Sequence, residues 1–451
     1  MSETLAANPT RLVAAALIGF LVLLVLIIAF KVQAMIAILI GAIVIGIAAG
    51  MPLADIVSTV NDGIGSTLKG IALLVGLGSM FGAILEISGG AQTIAVTLVK
   101  RFGDRKVAWA LGITGLVIAM PVFFDSGLII LIPLAFALAK RTKRSSLFYV
   151  IPLLAGLAVG HAFIPLTPGP VLVATMLGVD LGWVIMVGVI CGIFAMIAAG
   201  PIWGSICGNK YNIPVPKHIA EQEDIDESKL PSFAYVVGII LIPLVLIILN
   251  SVSSVIPALE PIRPVLAFVG EPFVALLIAT IAAMLLLGIK RGYSKEELEK
   301  VMTKSLEPTG MIFLVTACGG VLRYILQNSG LGDVIGAAVA SAALPIVVVA
   351  FIVAVLVRIS VGSSTVAMTM AAGIVSAMPE VAGLSPLHLA CITAAVAGGA
   401  TVCSHFNDSG FWLVKSLVGM DEKTTLKTWT IMETTVGCTG FIVALIISFF
   451  A

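Results

Sequence analysis

The most constraining feature of the sequence is a succession of apolar runs, each long enough to cross a lipid bilayer. A transmembrane helix needs about 20 mostly apolar residues. Runs close to this length occur at Leu12–Phe30, Ala34–Gly50, Gly70–Ile87, Phe148–Pro165, Gly182–Ile206, Phe233–Leu249, Pro264–Gly288, Gly310–Leu326, Leu387–Cys403 and Thr430–Phe450. Hydrophobic residues make up 60% of the chain and charged residues 11%, more apolar surface than a soluble core can bury. The sequence predicts an all-α polytopic membrane protein.

Charge and cysteine content argue against several other classes of protein. The formal net charge is +1, so nothing favours a nucleic-acid partner. Six cysteines are scattered singly, which indicates neither a disulfide framework nor a metal site. Apart from His405 beside Asp408, no acid–base pair, paired nucleophile or ligand set stands out. We therefore expect neither an enzyme nor a cofactor, and we expect the first apolar run to be a retained span.

A polar connector at residues 209–231 divides the chain into two transmembrane repeats, residues 1–208 and 232–451. A shift of 241 residues aligns Gly78 with Gly319 and Gly169 with Gly410. Each half also contains one apolar run interrupted by polar residues, Val107–Ala139 and Leu344–Met378. We interpret these runs as re-entrant hairpins, and the glycine- and proline-rich runs that follow them as broken transmembrane helices. Five net crossings per half would make the repeats inverted, an architecture typical of secondary transporters.

The distribution of lysine and arginine predicts the orientation of the chain. Cytoplasmic loops are enriched in these residues. The first hairpin is flanked by basic loops, Lys100–Lys106 and Lys140–Arg144, so we expect it to enter from the cytoplasm. The crossing count predicts further cytoplasmic loops at Lys31, Lys210–Lys229, Lys290–Lys304 and Lys423–Lys427, and external loops at Met51–Thr67, Gly178–Trp183, Gln327–Ala340 and Met378–Pro386. Both termini should lie outside.

Polar clusters lie at the two hairpin tips and in the two broken helices. Each precedes a helix start, and helix N-termini that face a cavity favour anions, so we expect a carboxylate-bearing substrate. Glycine and proline in the clusters leave backbone groups free to take part. The candidate substrate-binding residues are Ser126, Gly127, Thr167, Gly169, Arg358, Gly362, Ser363, Ser364, Thr365, Asn407 and Ser409.

Ionisable residues at membrane depth are costly and are functional candidates. The candidates for proton coupling are Asp125, Asp408, His405 and His161. Asp125 or Asp408 could instead cap a helix, and His161 could be a satisfied structural histidine. Arg358 either clamps a substrate carboxylate or pairs with one of the two aspartates. Sodium coupling stays open, because Ser363, Ser364 and Thr365 offer the hard oxygen ligands such an ion takes.

Three motifs give the chain its resemblance to a known family. They are Gly160-His161-Ala162-Phe163-Ile164-Pro165 with Pro168-Gly169-Pro170, the run from Arg358 to Ala367, and the run from Ser404 to Leu413. Along its full length the chain resembles the gluconate permease family of bacterial proton symporters, within the ion transporter superfamily. It departs from the gluconate transporters at Thr167, where they tend to have histidine, and at Asp125, where the hairpin tip tends to carry glutamate.

The resemblance implies proton-coupled uptake of gluconate or a related small sugar acid or hydroxy acid. Uptake would occur across the bacterial inner membrane by alternating access, in a homodimer with a scaffold and a moving transport domain. The alternative is a sodium-coupled symporter of another small carboxylate or a D-amino acid. A channel is disfavoured, because inverted repeats with paired hairpins are typical of coupled transporters.

Overall fold

The fold is a bundle of helices, and the computed structural model describes residues 9–103, 106–216, 227–253, 256–307, 309–331, 334 and 344–451. Within these residues, eight helices are long and apolar enough to cross a membrane. Shorter apolar helices of 10–17 residues lie between them. The prediction of an all-α polytopic membrane protein is confirmed.

The described residues of the first half form ten α-helices. They are α1 (Pro9–Ile28), α2 (Ala34–Ala49), α3 (Leu53–Ile87), α4 (Gly90–Phe102), α5 (Val107–Ile118), α6 (Phe124–Thr142), α7 (Leu147–Phe163), α8 (Pro168–Leu177), α9 (Leu181–Ile197) and α10 (Trp203–Lys210). Helices α5 and α6 form the first hairpin, and α7 and α8 form the first broken helix. A π-helical segment, Ala198–Ile202, joins α9 to α10.

The second half repeats this order. Its described α-helices are α11 (Phe233–Ser253), α12 (Arg263–Val269), α13 (Pro272–Ala283), α14 (Lys295–Ser305), α15 (Thr309–Asn328), α16 (Ile346–Val361), α17 (Ser364–Val375), α18 (Pro386–Gly399), α19 (Ser409–Val418), α20 (Glu422–Thr425) and α21 (Ile431–Ser448). Helices α16 and α17 form the second hairpin, and α18 and α19 the second broken helix. A π-helical segment, Leu426–Thr430, precedes α21. Residues 217–226 of the predicted connector, and 332–333 and 335–340 of one predicted external loop, lie outside the described residues.

The prediction that Met51–Thr67 forms a loop is wrong, while its external position stays a prediction. Helix α3 begins at Leu53 and continues through this segment to Ile87. The polar residues that suggested a loop leave the helix intact, because no proline or paired glycine interrupts Leu53–Lys69. At 1.5 Å per residue the helix is roughly 50 Å long, well beyond the ~30 Å hydrocarbon core, so its polar first turns can extend past the apolar layer.

A second predicted loop, Lys290–Lys304, is also largely helical. Helix α14 begins after Ser294, whose hydroxyl accepts a hydrogen bond from the Glu297 backbone, while the Glu297 carboxylate accepts one from the Ser294 backbone. This capping box satisfies two backbone donors and starts the helix. Its hydrogen bonds also hold the pKa of the Glu297 carboxyl below its usual value.

Glycines let the hairpins pack directly against the broken helices. A Cβ atom at Gly156 of α7 would lie 2.1 Å from the carbonyl oxygen of Gly112 in α5. In the second half, a Cβ atom at Gly399 of α18 would lie 2.5 Å from the carbonyl oxygen of Phe351 in α16. Small residues at such crossings allow the backbone contact by which membrane helices associate. Both halves therefore hold their hairpin against their broken helix in the same way.

Candidate functional site

The two hairpin tips and the two helix breaks meet at one cavity of about 560 Å³. This volume is within the roughly 300–1,000 Å³ typical of small-molecule sites. The predicted site residues that line it are Asp125, Ser126, His161, Arg358, Gly362, Ser363, Ser364, Thr365, Asn407, Asp408 and Ser409. The structure thus brings together polar residues that are up to 284 positions apart in the sequence.

Arg358 and Asp408 form an ion pair in the wall of the cavity. Arg358 Nη2 lies 2.5 Å from Asp408 Oδ2, and the arginine side chain is only 2% exposed. The same carboxylate oxygen accepts a hydrogen bond from Ser404, and Oδ1 accepts one from the Gly410 backbone at 3.0 Å. Arg358 Nε and Nη1 are buried and have no hydrogen-bond partner among the described residues. The pair therefore satisfies Asp408 fully but leaves two donors of Arg358 unused.

The π-helical segment Leu426–Thr430 and the start of α21 support the break in the second broken helix. Trp429 Nε1 donates to Ser404 Oγ at 2.7 Å, and Thr430 Oγ1 donates to the Ser404 carbonyl at 2.5 Å. Thr434 Oγ1 accepts from the Cys403 backbone at 3.1 Å. Cys403 has a φ of +58°, a conformation that costs energy for a residue with a side chain. These bonds satisfy backbone groups that unwinding would otherwise leave free in an apolar environment.

The second hairpin tip contacts the same break. Gly362 ends α16 with a φ of +84°, and a Cβ atom there would lie 2.2 Å from the Asn407 carbonyl oxygen. Asn407 Nδ2 in turn donates to the carbonyl of Ile359 at 2.8 Å. Ser363 caps α17 by accepting a hydrogen bond from the Val366 backbone at 3.4 Å. Only glycine fits at the tip, where the two backbones touch.

Asp125, at the first hairpin tip, is exposed to the cavity. The N-cap of α6 is Phe123, and no side chain forms a cap hydrogen bond there, so Asp125 is not the helix cap. It is in the first turn, where the helix dipole favours a negative charge. It forms no hydrogen bond or ion pair with any described residue, in contrast to Asp408.

His161 and Thr167 are close together in the first broken helix. Thr167 Oγ1 donates to the His161 carbonyl at 2.8 Å, which ties the two sides of the break together. Thr167 is buried and is not among the residues that line the cavity. The His161 ring does line it, and Nδ1 is buried without a partner. The His161 Nδ1 atom is thus a buried polar atom with no hydrogen-bond partner among the described residues.

Three other predicted residues do not line the cavity. A Cβ atom at Gly127 would lie 2.9 Å from Leu157, and one at Gly169 would lie 2.5 Å from Met368 Sδ. Both glycines therefore allow close packing behind the site. His405 is partly buried beside the break, and its Nδ1 accepts a weak hydrogen bond from the Asn407 backbone at 3.4 Å.

Glu433, in α21, lines the cavity and was missed by the sequence-based prediction. It is 5% exposed and interacts electrostatically with Arg358 and Asp408. Trp429, also missed, packs its ring against Phe124 of the first hairpin tip with ring centroids 5.6 Å apart. Glu433 is the sole charged residue in the apolar run Thr430–Phe450, a signal that could have identified it.

The sequence was compared with known families and proteins. A sequence model of the GntP family permeases matches residues 11–450. The chain belongs to the GntP permease family. It is 38% identical over 436 residues to the low-affinity gluconate transporter of Escherichia coli K12, covering 96% of this chain and 98% of that protein. The gluconate permease of Pseudomonas aeruginosa is 35% identical over 436 residues, covering 96% of each chain.

A further relative of this GntP family member is the Gnt-II system L-idonate transporter of E. coli K12. It is 35% identical over 431 residues, covering 95% of this chain and 97% of that protein. Family membership makes the chain a multi-pass membrane transporter rather than an enzyme. The homodimer and the external position of both termini stay predictions.

Solved structures of other transporters share the fold of this GntP family chain. The YdaH transporter of Alcanivorax borkumensis, described as having an unusual topology, superposes with a TM-score of 0.61, 15% identity and coverage of 86% of this chain and 88% of that one. MtrF of Neisseria gonorrhoeae gives a TM-score of 0.63, 15% identity and coverage of 87% and 84%. At this identity the likeness extends to the fold alone.

Proposed function

We propose that the protein takes up gluconate or a closely related small sugar acid across the bacterial inner membrane, coupled to protons, by alternating access. The observation that carries the proposal is the cavity, where two nitrogen atoms of Arg358, Nε and Nη1, have no hydrogen-bond partner among the described residues and lie beside several hydroxyl and amide side chains. Each of these guanidinium nitrogens can donate a charge-assisted hydrogen bond to a substrate carboxylate. The hydroxyls of Ser126, Ser364 and Thr365 are placed to hydrogen-bond a polyol chain.

Proton coupling is supported by the charge balance of the cavity. The ion pair of Arg358 and Asp408 is neutral, so Asp125 and Glu433 would leave two negative charges if both were ionised. A substrate carboxylate would add a third. Two like charges about 5 Å apart repel by roughly 3 kcal/mol at an effective dielectric constant of 20. Binding an anion therefore becomes favourable when at least one of these carboxylates takes up a proton.

Alternating access requires two bodies that move past each other. The four elements that form the site, two hairpins and two broken helices, would make up the moving body. Helices α3 and α15 pack together so closely that a Cβ atom at Gly63 would lie 2.7 Å from Val321 Cα. Such a rigid contact is suited to a scaffold.

Counterflow in proteoliposomes tests the proposal. Vesicles are loaded in turn with D-gluconate, D-glycerate, D-serine and a ketogluconate, and entry of labelled D-gluconate is followed. We expect D-gluconate to drive exchange and an inward proton gradient to drive accumulation. Absence of D-gluconate exchange would refute the claim that D-gluconate is a substrate. Accumulation driven by a sodium gradient alone would refute the claim that the proton is the coupling ion.

A further inference from the structure

Glu433 is a buried carboxylate in the wall of the transport cavity. It is 5% exposed and forms no hydrogen bond or ion pair with any described residue, although it lines the cavity with Arg358 and Asp408. An ionised carboxylate without partners is expensive at membrane depth. A group kept under these conditions in a transport site is a candidate for a function that needs its neutral form as well as its charged form.

The charged groups around Glu433 come from only a few of the elements that pack on α21. Arg358 and Asp408 face it from the second hairpin and the second break, and their charges act on it. Asp125 and His161 line the same cavity from the first hairpin and from α7. Helix α9 and its π-helical continuation contain no Asp, Glu, Lys, Arg or His. The one such residue in α18 is His388, in the first turn of that helix. Among the described residues, Arg358 is the cation whose charge acts on Glu433, and Lys427 of the π-helical segment before α21 is exposed.

The three acidic residues of the cavity differ in what stabilises their charge. Asp408 accepts hydrogen bonds from Arg358, Ser404 and a backbone N–H group, so its charge is fully compensated. Asp125 is exposed and in the first turn of α6, where the helix dipole favours the anion. Glu433 is far from a free helix end, since the helical residues 422–430 precede it. A proton that enters the cavity is held most favourably by Glu433.

We propose that Glu433 binds the coupling proton and competes with the substrate carboxylate for Arg358. This inference rests on the proposed uptake of an anion. With Glu433 protonated, the unpaired N–H groups on Nε and on Nη1 of Arg358 are left to the substrate. When the substrate leaves on the inside, Glu433 releases its proton to water and its carboxylate is drawn to the same guanidinium. Only the proton changes position, from the carboxyl of Glu433 to solvent, so one proton accompanies each substrate anion.

This competition predicts a definite pH dependence. Above the pKa of Glu433, linkage of one proton to one substrate lowers the apparent affinity tenfold per pH unit. In Glu433→Gln the amide mimics the protonated acid, so affinity should no longer change with pH. Counterflow exchanges substrate without net proton movement and should survive the substitution. Under a proton gradient, however, the internal D-gluconate concentration should no longer rise above the external concentration.

The experiment measures three quantities in full-length wild-type protein and Glu433→Gln, reconstituted in liposomes: labelled D-gluconate counterflow, its accumulation under an inward proton gradient, and its apparent affinity from pH 5.5 to 8.5. The matched control is Glu422→Gln, which removes a carboxylate on the same helical segment that pairs with Lys415 at 2.7 Å, outside the cavity. The control should accumulate D-gluconate like the wild type.

Each outcome bears on one claim. Lack of counterflow in the wild type refutes the proposed substrate and not the role of Glu433. If the wild type accumulates D-gluconate with the proton gradient and Glu433→Gln does so equally, Glu433 is not the proton site. Loss of counterflow in Glu433→Gln also overturns the proposal, because it would mean that the carboxylate itself binds substrate. Glu433→Asp restores a titratable group and should recover gradient-driven accumulation, and failure to recover it in a variant that still performs counterflow counts against the proposal.

Discussion

The ion pair between Arg358 and Asp408 should couple the second hairpin to the second broken helix far more strongly than any surface pair. The two side chains are 2% and 13% exposed, with the closest nitrogen and oxygen 2.5 Å apart. Two unit charges about 4 Å apart attract by roughly 4 kcal/mol at an effective dielectric constant of 20. Removing one partner of such a buried pair costs about 3–5 kcal/mol, because the other charge stays buried.

A double-mutant cycle with Arg358→Met, Asp408→Asn and the double variant isolates the coupling energy between the two side chains. Unfolding in mixed detergent micelles, followed by circular dichroism while the SDS fraction is raised, gives the free energy of unfolding of each variant. We expect a coupling energy of about 3 kcal/mol, since the double variant no longer buries an unpaired charge. Each single variant should also lose substrate binding.

The surface pair of Lys415 and Glu422 is the control for this cycle. Its nitrogen and oxygen are 2.7 Å apart, but the side chains are 25% and 49% exposed. Exposed pairs contribute about 0–1 kcal/mol despite good geometry. A coupling energy for Arg358 and Asp408 no larger than that of the control pair would refute the claim that burial makes this pair a strong link.

Two further predictions concern the second hairpin tip and the orientation of the chain. Gly362→Ala should reduce counterflow more than tenfold, because its Cβ would collide with the Asn407 carbonyl. The control is Gly383→Ala, where φ is a similar +87° and the surrounding space is open, and its counterflow rate should stay within about twofold of the wild-type rate. In a cysteine-free background, Ala382→Cys should react with an impermeant thiol reagent in intact cells and Lys423→Cys only after permeabilisation; the reverse result would overturn the predicted orientation.

The sequence predicted the elements of the site better than their neighbours. Both hairpins and both breaks could be located because glycine, proline and polar residues stand out within apolar runs. Contacts between distant segments were not predictable in this way. Whether Arg358 would pair with Asp408 or Asp125 depended on how the second hairpin lies against the second break, and the structure shows the pair with Asp408.

The loop errors have a different physical cause. A hydropathy pattern indicates where a chain leaves the bilayer, but it does not indicate where a helix ends. Helix α3 passes from apolar to polar sequence without a residue that breaks it, so the helix continues beyond the apolar layer. The capping box of Ser294 and Glu297 was present in the sequence and could have identified α14.

Positive helix ends can contribute less to binding of the proposed anionic substrate than the sequence suggested. Four helices begin at the cavity, but the N-terminus of α17 is capped by Ser363 and that of α19 by Asp408. Helix α8 begins with Pro168 and Pro170, which have no N–H group to offer, and Gly169 between them packs against Met368. The cationic and helix-end donors left for a carboxylate are those of Arg358 and of the first turn of α6. Substrate affinity should therefore depend mainly on whether the guanidinium of Arg358 is free to bind the carboxylate. Protonation of Glu433 would control this availability.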